Sequence, residues 1–172
     1  MKTITQAYSD ARDLPDRHLF DSVPGFLFDL LMNKYGIKRI AEQKFTQTVA
    51  ALVLHRNRSP RTTLFGRFMQ LHRPLAKPAF LAYIEIVENI ANLNVGFALE
   101  NLEADESHFA PFIRALECGR GVLERRGHAD KVGVLRDRAE KLKRPDKKQL
   151  NKAGVVDVDE FASLVLAILA SV

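Results

Sequence analysis

From Pro24 to Ala170 the apolar residues recur at helical spacing, and prolines and glycines stand at the breaks between the runs. A chain patterned this way can fold into little other than an assembly of helices. Pro24 opens a run through Phe26, Leu27, Phe28, Leu30, Leu31 and Met32 that stops at Gly36, with proline at the first turn and glycine just past the last. The next run, Ile37 to Leu54, carries Ile37, Ile40, Ala41, Phe45, Val49, Leu52 and Val53 on roughly one face. Ser59-Pro60 reads as a cap and first turn leading into Leu64, Phe65, Phe68 and Met69, and Pro74 closes that segment. A fourth helix starts near Pro78 and continues through Phe80, Leu81, Tyr83, Ile84, Ile86, Val87 and Ile90, with so little polar interruption that it should be the most buried of the set. After a loop from Asn94 to Ser107, the pattern predicts helices over Phe109 to Arg126, His128 to Arg144 and Asp157 to Ala170. Val155-Val156 is the one candidate for extended pairing. The expected fold is all-α, a single compact domain of about seven helices over 1–172, with 1–14 read as a flexible tail.

A chain of 172 residues with 47% hydrophobic and 27% charged residues is long enough to bury a real core and too apolar for disorder. No run approaches the roughly 20 apolar residues needed to span a bilayer, and Met1 to Arg12 lacks the pattern of a secretory signal. The expectation is a cytoplasmic protein that does not enter a membrane. Cys118 is alone, which excludes an internal disulfide or a thiolate metal cage and suits a small buried hydrophobe on a helix.

Charge is segregated in blocks. Between Ile37 and Lys77 stand Lys38, Arg39, Lys44, Arg56, Arg58, Arg61, Arg67, Arg73 and Lys77 against Glu42 alone, a local balance of +8. From Pro78 to Ile113 there is no Lys or Arg, while Glu85, Glu88, Glu100, Glu103, Asp105 and Glu106 give −6. The basic block fits an anionic partner, with Arg56, Arg58, Arg61, Arg67 and Arg73 as the residues to meet it. Its densest stretch, His55 to Arg61, falls at a junction between two helices. A helix-turn-helix reader of DNA would need the helix after Ser59 to face the major groove, yet Leu64, Phe65, Phe68 and Met69 claim much of that helix for a core.

Near the C-terminus the chain reads Gly154-Val155-Val156-Asp157-Val158-Asp159-Glu160-Phe161. This resembles the second half of an EF-hand: glycine at the sharp bend, an apolar residue two later, then an acid and a phenylalanine opening the exiting helix. Placing Gly154 sixth puts Glu160 twelfth, and puts Gln149, Asn151 and Ala153 where calcium needs its first oxygen ligands. The element at 145–172 is therefore a degenerate helix-loop-helix whose Asp157 and Glu160 keep EF-hand positions without a full ligand set. The same two residues, three apart at a helix start, also fit a capping box. Leu75 to Phe80 repeats the apolar-to-Phe spacing and could supply a second, ligand-free hand. With Tyr35-Gly36 and Leu64-Phe65-Gly66-Arg67-Phe68, these segments are similar to EF-hand-like helical modules of cytoskeletal proteins in cilia and flagella. The resemblance implies a structural protein near microtubules, whose acidic tubulin surface would suit the basic block.

Candidates for catalysis do not converge. His18, His55, His72, His108 and His128 lack the spacing that places two ligands on one helical face. Glu85 and Glu88 lie three apart without the Glu-x-x-His partners of a di-iron bundle and read as solvated helix charges. Gly119-Arg120-Gly121 sits in a helical period with no strand before it, so it is no phosphate loop. The expectation is a non-catalytic adaptor without a cofactor, binding acidic protein surfaces such as those of the microtubule or axonemal cytoskeleton, with a nucleic-acid-binding regulator as the alternative. The last helix, almost wholly apolar, is either deep core or a partner-facing surface.

Overall fold

The computed structural model describes residues 22–93, 109–146 and 152–171, so the expected tail at 1–14, the loop from Asn94 to Ser107 and the positions Gln149 and Asn151 lie outside the described residues. Seven α-helices and a two-stranded antiparallel sheet are described: α1 Val23–Tyr35, α2 Lys38–His55, α3 Pro60–Phe68, α4 Lys77–Leu93, β1 Phe109–Pro111, α5 Phe112–Arg125, α6 Val132–Glu140, β2 Val155–Asp157 and α7 Val158–Ala170. The protein is all-α in class. It divides into two compact units, Met1–Leu81 and Ala82–Val172, with the boundary inside α4.

In the first unit, capping chemistry opens α1 and α3 and closes α1 where the sequence says it should, whereas α2 starts without a side-chain cap and α3 stops at Phe68, short of the expected break at Pro74. Ser22 Oγ accepts from the Gly25 amide at 3.2 Å and opens α1; Gly36, at φ +66, closes it. Ser59 opens α3 with a reciprocal capping box: its Oγ accepts from the Thr62 amide and its own amide donates to Thr62 Oγ1. Thr62 fills the position more often held by Glu or Gln. The α1 and α2 helices pack together, with Phe28 and Phe45 edge to face at 5.9 Å, and Phe68 and Phe80 meet likewise at 5.2 Å.

In the second unit α5, α6 and α7 pack against one another around Phe161, which is fully buried with Val122, Leu123, Leu135 and Ile168. Full burial of one such side chain contributes roughly 1.5–3 kcal/mol. The close approach depends on Gly119, where an added Cβ would lie 2.8 Å from both Leu135 Cδ2 and Phe161 Cζ. The last helix is thus core: Val158, Phe161, Ala162, Val165, Leu166 and Ile168 are all buried, as deeply as the apolar residues of α4. Cys118 is buried on α5, and burial pushes its thiol up to about 11.

Two expectations about helix boundaries in this unit are corrected. Phe109 to Pro111 is a strand and not the first turn of a helix, because its partner across the sheet is the Val155 segment: Phe109 faces Asp157, Ala110 faces Val156 and Pro111 faces Val155. Pro111, with no N–H to donate, then sits at the helix N-cap, and α5 begins one residue later. The span His128 to Arg144 is not one helix; a 3₁₀ turn, Ala129–Lys131, precedes α6, which stops at Glu140, and Arg144 makes an isolated bridge to Val155. The strand paired with β2 is Phe109–Pro111, while in the Leu75 to Phe80 segment α4 already starts at Lys77.

Glu85 is not a solvated helix charge either. Arg125 and Arg126, at the end of α5, both bond its carboxylate, which is 29% exposed. Burial alone would raise its pKa, but the hydrogen bonds from Arg126 and Arg125 outweigh it and hold the group below its ordinary 4.5. A carboxyl whose folded value is depressed adds stability that is present above 4.5 and is lost as pH falls through the folded value. Glu85→Gln is therefore expected to be less stable than the parent at neutral pH and to show a shallower loss of stability on acidification below 4.5, read by urea melts across a pH series.

Candidate functional site: a basic and apolar rim at the turn between α2 and α3

The last turn of α2 leaves two aliphatic side chains in water. Val53 is 51% exposed and Leu54 77%. Sequence periodicity places Val53 on the buried face; in the structure that face is narrower, with Ala41 and Leu52 buried and Ile40, Phe45 and Val49 half-buried. Leu54, off the apolar stripe, is the residue in the sequence that signals a surface hydrophobe. Directly after this shelf come His55, Arg56, Asn57 and Arg58, all exposed, and together the six residues line a shallow open depression of about 520 Å³.

The turn itself is rigidly tied. Thr63 Oγ1 lies 2.7 Å from the Arg56 carbonyl and 3.0 Å from the Ser59 carbonyl, and the Arg58 amide donates to the His55 carbonyl. The backbone under Arg56 and Arg58 is therefore held while their side chains reach into solvent.

A second, smaller notch shares the wall formed by Val53, Arg56 and Asn57. Its volume is about 90 Å³, and Leu52, Gly66, Leu71 and His72 complete its apolar floor and far rim. Its origin lies in how α3 ends. Gln70, at φ +63, is the left-handed residue after the helix; its amide donates to the Arg67 carbonyl and the Leu71 amide to the Gly66 carbonyl, the paired bonds of a Schellman motif. In that motif the residue in Leu71's place commonly packs against the side chain in Gly66's place. Here that side chain is missing.

The five arginines proposed from sequence separate in this geometry. Arg56 and Arg58 are exposed on the rim, and Arg73 is exposed in the loop after α3. Arg61 is half-buried in the first turn of α3. Arg67 is committed to the fold: its Nε donates to the Arg73 carbonyl at 3.1 Å, and with the Gln70 side-chain amide on the Leu75 carbonyl it shapes the loop. The buried face of α3, formed by Leu64, Phe65 and Phe68, leaves little of this nine-residue helix to enter a groove of DNA.

The C-terminal acids occupy a different kind of site. Gly154, at φ +82, makes the sharp bend; a Cβ there would lie 2.7 Å from the Arg144 carbonyl. Asp157 caps α7, its Oδ1 accepting from the amides of Asp159 and Glu160 at 2.9 Å each. The reciprocal half of a capping box is not formed, because Glu160 turns to Arg144, whose Nη2 bonds both carboxylate oxygens at 2.8 and 3.0 Å. The same guanidinium lies over the Phe109 ring at 5.5 Å. Burial raises the Asp157 carboxyl above its ordinary 3.8 despite the two amide bonds. Among the described residues, no three His, Cys, Asp or Glu side chains gather in a way that could hold a metal ion, and no described helix is long and apolar enough to cross a membrane.

Two outcomes follow from these local geometries. An added methyl at Gly66 meets nothing within 4 Å, and the position has no positive φ, so Gly66→Ala should raise stability by about 0.5–1 kcal/mol in urea denaturation. For Asp157, a folded pKa above the unfolded one gives stability fully present below 3.8 and lost as pH rises through the folded value. Asp157→Asn keeps the cap and removes that loss, so it should match or exceed the parent at neutral pH, whereas Asp157→Ala should cost about 1 kcal/mol. No protein-family model, curated protein or solved structure matches this chain.

Proposed function

We propose that this protein is a non-catalytic adaptor that docks on acidic protein surfaces through the rim at the turn between α2 and α3. The observation that carries the reading is the pairing of exposed Val53 and Leu54 with exposed Arg56 and Arg58 on a tied turn, within a segment holding nine Lys and Arg against one acid from Ile37 to Lys77. Apolar area at the centre of a contact contributes affinity, while a rim of like charges steers and selects a partner of opposite sign. Lone surface hydrophobes are ordinary; two adjacent ones bordered by arginines form a patch suited to a partner.

The EF-hand-like order at the C-terminus, a bend at Gly154 followed by β2 and α7, supports a kinship with cytoskeletal modules, and tubulin offers an acidic surface of the right sign. In that setting the protein works in the cytoplasm on a microtubule or axoneme. Arg144, by taking the Glu160 carboxylate, supplies internally the positive charge that a cation would otherwise bring.

The test is co-sedimentation with polymerised microtubules over a salt series, beside a duplex DNA binding assay. The parent should pellet with microtubules in a salt-dependent way, and Arg56→Ala/Arg58→Ala should weaken this on the order of tenfold without altering the melting temperature. Tight DNA binding without microtubule pelleting would replace the proposal with a nucleic-acid-binding role.

A further inference from the structure

The notch beside the rim is an opening whose glycine serves no need of the fold. Gly66 stands in the interior of α3, where glycine is less favourable than alanine, and its backbone needs no left-handed conformation. No neighbour crowds it: an added Cβ would find nothing within 4 Å. The contrast with Gly119 and Gly154, where a Cβ would collide at 2.8 and 2.7 Å, separates a glycine required by packing from one that leaves a space open.

We infer that this notch receives one aliphatic side chain of an acidic peptide segment on the partner. The inference rests on the docking reading of the rim and adds the chemistry of what is recognised. Leu52, Val53 and Leu71 offer apolar walls around Gly66, while Arg56 and His72 stand at the edge. The volume of about 90 Å³ falls below the roughly 150 Å³ of an apolar cavity that admits benzene, which favours a branched aliphatic side chain over an aromatic ring. Carboxylates flanking that anchor would face Arg56 and Arg58, both exposed at the rim. The occupant is thus a short acidic segment of another protein with a leucine, isoleucine or valine at its centre. Recognition of this kind couples a buried anchor to a charged surround.

Fluorescence anisotropy with the full chain and two labelled peptides tests this: Glu-Asp-Glu-Leu-Glu-Asp-Glu, and the same peptide with alanine for leucine. The leucine peptide should bind on the order of tenfold more tightly. Gly66→Leu, which fills the notch, should erase that preference while leaving the salt-dependent binding of the alanine peptide in place. Gly66→Ala, expected to fold at least as well as the parent, should narrow the preference and so covers the case in which the leucine variant misfolds. Equal binding of both peptides by the parent would overturn the anchor while leaving the basic rim as a docking surface. A preference unchanged in Gly66→Ala and Gly66→Leu would place the anchor elsewhere and overturn the notch. Binding of neither peptide would overturn this inference, and the microtubule assay then decides separately whether the docking reading survives.

Discussion

Everything in the second unit hangs on three residues of backbone pairing. Phe109–Pro111 and Val155–Asp157 are 44 or more residues apart in sequence, and each leads straight into a helix, so their register fixes where α5 and α7 start and which faces those helices present to each other. Arg144 locks the joint from a third side, with two backbone bonds to Val155 at 2.8 Å, a guanidinium on Glu160 and a cation–π contact to Phe109. A short sheet is marginal alone. Flanked by Ala110 and Val156, both fully buried, it becomes part of a core.

The buried polar contacts of this unit tie the same elements together. Tyr83 donates to Asp159 Oδ1 at 2.7 Å, linking α4 to α7 at a residue that is only 2% exposed. A buried polar group without such a partner would be destabilising. Glu85, between Arg125 and Arg126, joins α4 to the end of α5 at the margin of the same core. Glu85 of α4 is therefore engaged in internal structure, whereas the arginines at the turn between α2 and α3 remain directed at solvent. This difference, more than net charge, distinguishes the charges that build the fold from those left at its surface.

Much of the fold is legible in the sequence. The helical period and the punctuation at Pro24, Gly36, Ser59-Pro60 and Asp157 locate these helix ends to within a residue or two, because caps and turns are decided by short-range hydrogen bonds and allowed dihedral angles. The basic stretch from His55 to Arg58 is equally plain. The strand at Phe109–Pro111 is not legible, because its apolar residues continue smoothly into the period of α5 and only the distant Val155 segment reveals them as extended. Nor is the fate of Val53, whose place on an apolar stripe says nothing about how wide a face the neighbouring helices would cover.

What the sequence by itself determined is the helical class, the capped helix ends and the segregation of charge, all properties of residues close together in the chain. Tertiary structure alone decided which charges are consumed and which stay directed at solvent. Arg67 and Arg144 look like Arg56 and Arg58 in sequence, yet the first two close a loop and hold a carboxylate while the others face solvent. The notch at Gly66 likewise needs Leu52 and Val53 of α2 to stand beside the turn that follows α3. Such outcomes depend on which surfaces meet once the chain has folded back on itself, and no local pattern encodes that meeting.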